Sequence, residues 1–428
     1  MATEHDDSHA PRRPNRLPRR EPAEEAGQRP PARLLFLTHE PPLPLVSGAR
    51  LRSYHLMREL ARRGHPVSLF AVVAGEPVSA SASRQLAELC ERVDLHPFRP
   101  SRLRRRARLA TDYVLGRAFE RGYFYTPTGA HALNALLAEV RPDVIVVGQL
   151  YMEAYLPRDP DALTIFDSHN VEARRIATMT RGGGARAVIA RRQARPVAAH
   201  EAEVVGRLGR TWAVSPEERA YFGPLAPGRV DLVPNGVDCA ALPMRPSPAT
   251  STDLLFLGRM DYGPNADGAR HLIDDVLPHV RHEAALVRIV GANPPPALRR
   301  LAERTPFPIE VTGFVPDTAP YLETARALVV PLRSGGGTRL KILEALARGV
   351  PVLTTTLGCE GLGLRHRREV LIADDPAEIA EWIDRLLEDD ELCASLAREG
   401  RDAVERRFDW SAIGDAAETS LRSLLALG

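Results

Sequence analysis

The chain has 428 residues, 44% of them hydrophobic and 26% charged, and its formal charge of +2 gives no global pull on nucleic acid, so no nucleic-acid partner is expected. That length holds two or three ordinary domains, and the four scattered cysteines (Cys90, Cys239, Cys359 and Cys393) form no CxxC pair. A structural zinc site and a disulfide framework are thereby disfavoured, no apolar run approaches the roughly 18 residues of a membrane span, and a cytoplasmic protein is expected.

Residues 1–33 are proline-rich and of mixed charge, without a signal-peptide core, and read as a disordered tail. Leu34–Thr38 is a short strand and Pro41–Gly48 a loop. Ala49–Arg63 is an amphipathic helix with Leu51, His55, Leu56 and Leu60 on one side, and Val67–Val73 is a second strand. This βαβ opening places its first loop at the carboxyl end of a strand, where open α/β sheets bind ligands. Gly48 there either lets the helix start approach a substrate or relieves a tight turn. Arg99–Arg108 holds six arginines, followed by Leu109, Tyr113, Val114 and Leu115 and then Phe119, Tyr123, Phe124 and Tyr125. Such a stretch is a solvated helix face, a peripheral contact with anionic membrane, or a grip on an anionic acceptor.

Pro142–Gly148 is a buried strand. Leu163–Phe166 is another, followed by Asp167-Ser168-His169-Asn170-Val171-Glu172. Polar groups directly after a buried strand stand where α/β sheets place working residues, although His169 could equally cap the next helix and Asn170 and Glu172 start it. Glu201–Leu208 reads as helix and Thr211–Val214 as strand, and Ser215 with Glu217 and Glu218 opens a further helix. Val230–Val233 runs into the turn Pro234-Asn235-Gly236-Val237-Asp238, and Ala240–Ser251 reads as a linker. The alternation then restarts with Leu254–Leu257, ending in Gly258-Arg259. Ala285–Val290 and Ile309–Val311 follow, the latter leading into Gly313-Phe314-Val315-Pro316-Asp317. Residues 376–406 read as two amphipathic helices, and Ala412–Leu425 as a closing helix.

The most informative stretch is 327–363. Two β-branched runs, Ala327–Pro331 and Val350–Thr356, flank a helical Thr338–Arg348, with Gly335, Gly336 and Gly337 before the helix. Glycines allow close approach of backbone, and a helix start offers free N–H groups, so this reads as a seat for a phosphate-bearing ligand, with Thr338 as helix cap. Lys341 is the only lysine among 57 basic residues. A compact ammonium suits a diphosphate, although an ordinary surface ion pair with Glu344, three residues on, is the bland alternative.

Pro331, Leu332, Gly335–Lys341, Ile342–Ala345 and Ala347, with Gly358, Glu360, Gly361 and Leu362, resemble a donor-site signature of the retaining GT-B glycosyltransferases of glycosyltransferase family 4. The matching branch reads P-L-x-x-G-G-G-T-R-L-K-I-L-E-A-(L/M)-A followed by G-x-E-G-L. The resemblance implies an α/β GT-B fold in which two Rossmann-like domains face each other across a cleft. It implies an acceptor domain at 34–235, a nucleotide-sugar domain at 236–410, and a helix at 411–428 crossing back to the first domain, with the P-N-G-V-D turn at the crossing. It further implies that Glu344 holds the donor ribose, and that Gly335, Gly336, Gly337 and Thr338 hold the diphosphate with Lys341 and its partner Arg259. Phe314 or Val315 would lie nearest the base, Gly48 would border the donor, and His169, in an H-(D/N)-x-E element, would point to the donor sugar. Two departures stand out: Gly336 replaces an acidic residue eight positions before Glu344, and Pro264-Asn265 occupies the slot of a second lysine beyond Arg259.

The implied activity is retaining, metal-independent transfer of a sugar from a UDP- or GDP-sugar, without a cofactor, to a glycan, lipid-linked or natural-product acceptor. The leaving diphosphate would be stabilised by cations and amides. Asp159-Pro160-Asp161 is a DxD by letter only, in a proline-rich turn, and no metal ligand set is assigned. The alternatives are a nucleotide-sugar epimerase of the same fold and a catalytically silent nucleotide-sugar-binding protein. The arginine-rich stretch would bring the protein to the inner membrane face.

Overall fold

Short, nearly continuous apolar runs are the pattern of parallel strands buried on both faces, and the chain builds two sheets from them. The computed structural model describes residues 30–99, 102–179, 184–245, 251–282, 285–335 and 337–427. Residues 1–29 of the expected tail, 246–250 of the expected linker, and Gly336 lie outside the described residues.

The first sheet contains β1 (Leu34–Thr38), β2 (Val67–Ala74), β3 (Arg92–Phe98), β4 (Val144–Gly148), β5 (Leu163–Asp167), β6 (Arg210–Ala213) and β7 (Val230–Leu232). All pairings are parallel, in the order β3-β2-β1-β4-β5-β6-β7, with Leu34 in register with both Val67 and Val144. The second contains β8 (Asp253–Leu257), β9 (Leu286–Val290), β10 (Ile309–Gly313), β11 (Ala327–Val330), β12 (Val352–Thr354) and β13 (Leu371–Ile372), ordered β10-β9-β8-β11-β12-β13. Each sheet is doubly wound, so each has a switch point where strand order reverses: β1/β4 in the first and β8/β11 in the second. Ligands of open α/β sheets bind outside the carboxyl ends of the strands at such points. From Ala32 onward both sheets belong to one compact unit.

Strand alternation divides the first core into two layers. Leu35 and Leu37 of β1 pack on one face with Phe70, Ile145 and Phe166. Leu34 and Phe36 pack on the other with Trp410, Ile413, Ala417, Leu421 and Leu424. Those five residues belong to the last helix, Trp410–Leu425, so the closing helix covers the first sheet although it follows the second in sequence. Burying each of its large apolar side chains contributes roughly 1.5–3 kcal/mol. The crossing is tied down where Val237 N donates to Phe408 O (2.8 Å) and Trp410 N to Val237 O (3.2 Å), with Arg58 and Asp238 paired alongside at 2.8 Å.

Several boundaries differ from expectation. Glu201–Leu208 is the end of a much longer helix, Gly184–Arg207, whose internal Pro196 interrupts the helical pattern. Arg92–Phe98 is an edge strand, only half-buried and containing Pro97, which conceals it in the sequence.

Candidate active site

The glycine loop leaves β11 at the second sheet's switch point. Gly335 and Gly337 have φ of +106° and +82°, the region that side chains disfavour. A Cβ on Gly335 would meet Pro264 at 3.0 Å and the Tyr262 hydroxyl at 3.2 Å, so the loop packs against the segment after β8. The helix begins at Leu340, two residues later than expected, because Leu340 N turns back to Thr338 O (3.1 Å). Thr338 is therefore not the cap. Arg339 occupies that position, and the Thr338 hydroxyl is buried without a hydrogen-bond partner among the described residues.

Lys341 turns inward from the first turn of this helix rather than pairing with Glu344. Its ammonium donates to the Leu257 carbonyl at the end of β8 and to Asn265 Oδ1 (2.9 Å), and lies 5.2 Å from the Phe256 ring centroid. Both acceptors are neutral oxygens. Burial, reinforced by the neighbouring charge of Arg339, brings the lysine pKa down to about 7. Arg339 is itself buried and donates to Gly337 O at 2.5 Å. Its pKa is lowered by burial, against the pull of Tyr262 and Glu360. A buried and a half-buried cation thus stand beside a glycine loop at a strand switch point.

Arg259 departs from expectation. Its side chain is 72% exposed and pairs with Asp261 at 2.6 Å, which raises its pKa. The direct partnership with Lys341 is replaced by a relay through Asn265, whose amide donates to the Arg259 carbonyl at 2.9 Å. Asp261, only two residues away, captures the guanidinium. Glu344 faces the loop after β10, where the Thr318 hydroxyl donates to its Oε1 at 3.4 Å. Burial raises the Glu344 pKa, opposed by Arg348 and Thr318. In that loop Phe314 is exposed and Val315 packs on the core of the second half.

In the first half, His169 follows β5 and caps no helix. Its Nε2 donates to Asp167 Oδ2 (3.1 Å) and its Nδ1 accepts from Gln149 Nε2 (3.0 Å), Gln149 lying just beyond β4. Asp167 Oδ1 accepts from Arg52 Nε (2.8 Å) and Nη2 (2.6 Å). Burial opposes ionisation of Asp167, but Arg52 and His169 outweigh it and hold its pKa below the usual value. The next helix is capped instead by Glu201, which accepts from Glu172 N at 2.7 Å. His39, beyond β1, has its pKa pushed down to about 4 by burial, against Glu40, and is a neutral ring at neutral pH.

Two contacts bring the halves together. Asn170 Oδ1 lies 2.9 Å from where a Cβ on Gly337 would be, and Leu340 Cδ1 lies 3.2 Å from that of Gly48. Gly48 is the first residue of the helix Gly48–Arg62, with Ser47 accepting from Arg50 N at 3.2 Å. The starts of two helices, one from each half, therefore face each other beside the glycine loop. Asp167 and Asn170, from the polar cluster marked after β5, complete this constellation with Asn265, Arg339 and Arg52, which the sequence reading gave no role in it. Arg339 and Asn265 sit inside stretches already marked, but Arg52 carries no sequence signal beyond its place on a helix. Among the described residues no group of three His, Cys, Asp or Glu is placed to hold a metal ion.

The halves match two family descriptions. Residues 46–241 match "Glycosyltransferase Family 4", and residues 251–389 match "Glycosyl transferases group 1". The protein is a glycosyltransferase. Its two doubly wound sheets make the GT-B fold, its first half similar to family 4 and its second to group 1 glycosyltransferases. Among solved structures, the glycosyltransferase is similar to sucrose-phosphate synthase from Thermosynechococcus elongatus, at 19% identity and a TM-score of 0.67 over 92% of this chain and 100% of that one. It is also similar to HepE from Anabaena, solved with UDP and glucose (16% identity, TM-score 0.64, 92% of this chain and 100% of that). WaaG, involved in lipopolysaccharide biosynthesis, aligns at 16% identity and a TM-score of 0.58 over 90% of this chain and 99% of that. A search of curated proteins gives no match.

Proposed function

We propose that this glycosyltransferase transfers a sugar from a nucleoside-diphosphate donor with retention of anomeric configuration and without a metal. The observation that carries the proposal is Lys341, a half-buried cation whose hydrogen bonds among the described residues go to neutral oxygens at the β8/β11 switch point, beside a glycine loop and opposite Asn170. A diphosphate there would meet the ammonium, the Arg339 side chain and the loop amides of Gly335–Thr338. These supply the positive potential that a departing phosphate needs. Arg259 would join them by exchanging Asp261 for the ligand. Glu344 would take the ribose hydroxyls, and the Phe314–Val315 backbone would border the base.

The donor domain in this proposal is the second half, 236–410, and the acceptor domain the first, 34–235, with Gly48 at the boundary. His169 would stand on the sugar side of the cleft, fixed by Asp167 and Gln149, with Asn170 reaching across. UDP-sugars are the first donors to test, because HepE is solved with UDP and with UDP-glucose, and GDP-sugars the second. The acceptor would be a glycan, a lipid-linked saccharide or a small aglycone.

The test is a thermal-shift screen of UDP- and GDP-sugars followed by labelled-sugar transfer in the presence of a chelator. A ligand at 100 times its Kd should stabilise the native state by about 2.7 kcal/mol. Stabilisation by one donor with chelator-resistant transfer is expected. No shift with any sugar nucleotide would sink the site assignment, and inversion at the anomeric carbon would sink the stereochemical one.

A further inference from the structure

We propose that the helices Arg102–Val114 and Gly184–Arg207 form one surface that docks onto an anionic lipid bilayer. The docking itself is independent of the chemistry proposed above, but what it implies for the acceptor rests on that reading. Leu103, Ala107, Ala110 and Val114 recur at i, i+4, i+7 and i+11 and form one stripe of the first helix. On a helix packed against a core such a stripe faces inward. Here all four residues are exposed, Leu103 by 79% and Val114 by 70%. The inward side carries Leu109, Asp112 and Tyr113 instead, all half-buried.

The second helix continues the surface. Arg192 lies over the Tyr113 ring at 4.8 Å and donates to the Tyr113 carbonyl at 3.2 Å, which ties the end of the first helix to the second. One turn earlier on that helix, Val188 and Ile189 are exposed. Of the eleven large hydrophobic side chains exposed among the described residues, five (Leu103, Val114, Leu115, Val188 and Ile189) belong to these helices or the residue just after the first. That is a concentrated patch, not scattered exposure.

Charge selects the occupant. Arg106, Arg117, Arg191, Arg192 and Arg195 are exposed around the patch, and the first helix has a single acid, Asp112, opposite Arg108 at 4.0 Å. A second copy of this chain would set arginine against arginine. A nucleic acid would use the arginines but leave the leucine and valines in water. An anionic bilayer satisfies both, the apolar stripe entering the acyl boundary while guanidinium groups meet headgroup phosphates. No helix among the described residues is long and apolar enough to cross a membrane, so the contact lies in the surface plane. The first helix runs on through the turn Phe119–Gly122 to Phe124, whose ring is 5.3 Å from His39 at the carboxyl end of β1. Docking would therefore place the acceptor side of the cleft near the bilayer and select an acceptor anchored in lipid.

The full chain should be sedimented with vesicles of phosphatidylglycerol mixed with phosphatidylcholine, and with phosphatidylcholine alone. Binding is expected only with the anionic vesicles, and should weaken strongly at about 0.5 M salt. Arg106→Gln should weaken it about fivefold, the effect of losing one surface arginine. Leu103→Asp combined with Val114→Asp should weaken it more than either arginine loss or salt alone. These positions are exposed, so circular dichroism and stabilisation by sugar nucleotide should stay as in wild type. Equal binding to neutral vesicles, no binding, or wild-type binding by the stripe variant each overturns the proposal. So does a dimer that the stripe substitutions dissociate, which would assign the patch to a second copy. Vesicle binding without sugar-nucleotide stabilisation would leave the docking intact and overturn the donor site alone.

Discussion

The Lys341 ammonium lies 2.9 Å from the side-chain oxygen of Asn265, in the position six residues beyond Arg259. Asn265 thus holds a lysine that comes from the other side of the strand switch point. It holds that lysine without neutralising it, and a pKa near 7 leaves Lys341 part-charged at neutral pH. The unfolded value is about 10.4, so between the two values the unfolded chain carries a proton that the folded chain lacks. Folding stability from this group therefore rises with pH across that window. Binding of a diphosphate runs the opposite way, because the anion favours the charged lysine and its binding takes up a proton. Affinity for an intact UDP-sugar, whose diphosphate has no ionisation in this range, should be constant below about pH 7 and fall above it, with a limiting slope of about tenfold per pH unit. Titration calorimetry in two buffers of different ionisation enthalpy reads the proton uptake. Lys341→Met should abolish both the uptake and the slope.

Glu344 is half-buried beside Thr318 with its pKa raised, which costs stability unless hydroxyl groups come to its oxygens. If those hydroxyls are a donor ribose, Glu344→Ala should raise the donor KM by about 10- to 100-fold, the range for hydrogen bonds to a charged group. The variant should be no less stable than wild type when free of ligand. A 2′-deoxy donor should lose affinity with wild type but lose nothing further with the variant. An unchanged KM would remove Glu344 from the site.

What was legible in the sequence follows the range of the forces involved. β1, β4, β5 and β8 are runs buried on both faces, and hydrophobicity over five residues is a local property. The glycine loop was legible because backbone conformation is also local. Gly335 and Gly337 do take positive φ. Long-range partners were not legible. Nothing near Arg52 announces that Asp167, 115 positions on, will neutralise it, and nothing near Arg259 says that Asp261 will compete for its guanidinium. The helix start at Thr338 was misplaced because the turn to Leu340 depends on how the loop meets the segment after β8.

Arg52 and Asp167 form a buried ion pair at 2.6 Å that also orients His169. Removing one partner leaves the other charged and buried, so Arg52→Met should destabilise the protein by about 3–5 kcal/mol in urea denaturation. Because the folded pKa of Asp167 is depressed, its contribution is fully present above about pH 4, the unfolded carboxylate value, and is lost as pH falls through the folded value. Asp167→Asn should flatten the acid limb of the stability profile. A variant as acid-labile as wild type would show that other carboxylates control that limb.

Gly337 meets Asn170 from the opposite half at a distance a side chain cannot share, 2.9 Å from its Cβ position to Oδ1. Gly337→Ala therefore carries two costs. One is backbone strain at φ +82°, about 1–2 kcal/mol, which any L-residue would incur. The other is a clash that exists only when the halves are as close as they are here. Replacing Asn170 by Gly removes the clash and leaves the strain. If closure of the cleft excludes water before sugar transfer, Gly337→Ala should lower kcat more than it weakens UDP binding. Asn170→Gly on that background should then restore part of kcat with little change in thermal stability. Steady-state kinetics and thermal unfolding of the four forms, wild type, each single variant and the double, separate the two terms. Strictly additive effects on kcat would mean that the approach of Asn170 to the glycine loop has no part in turnover.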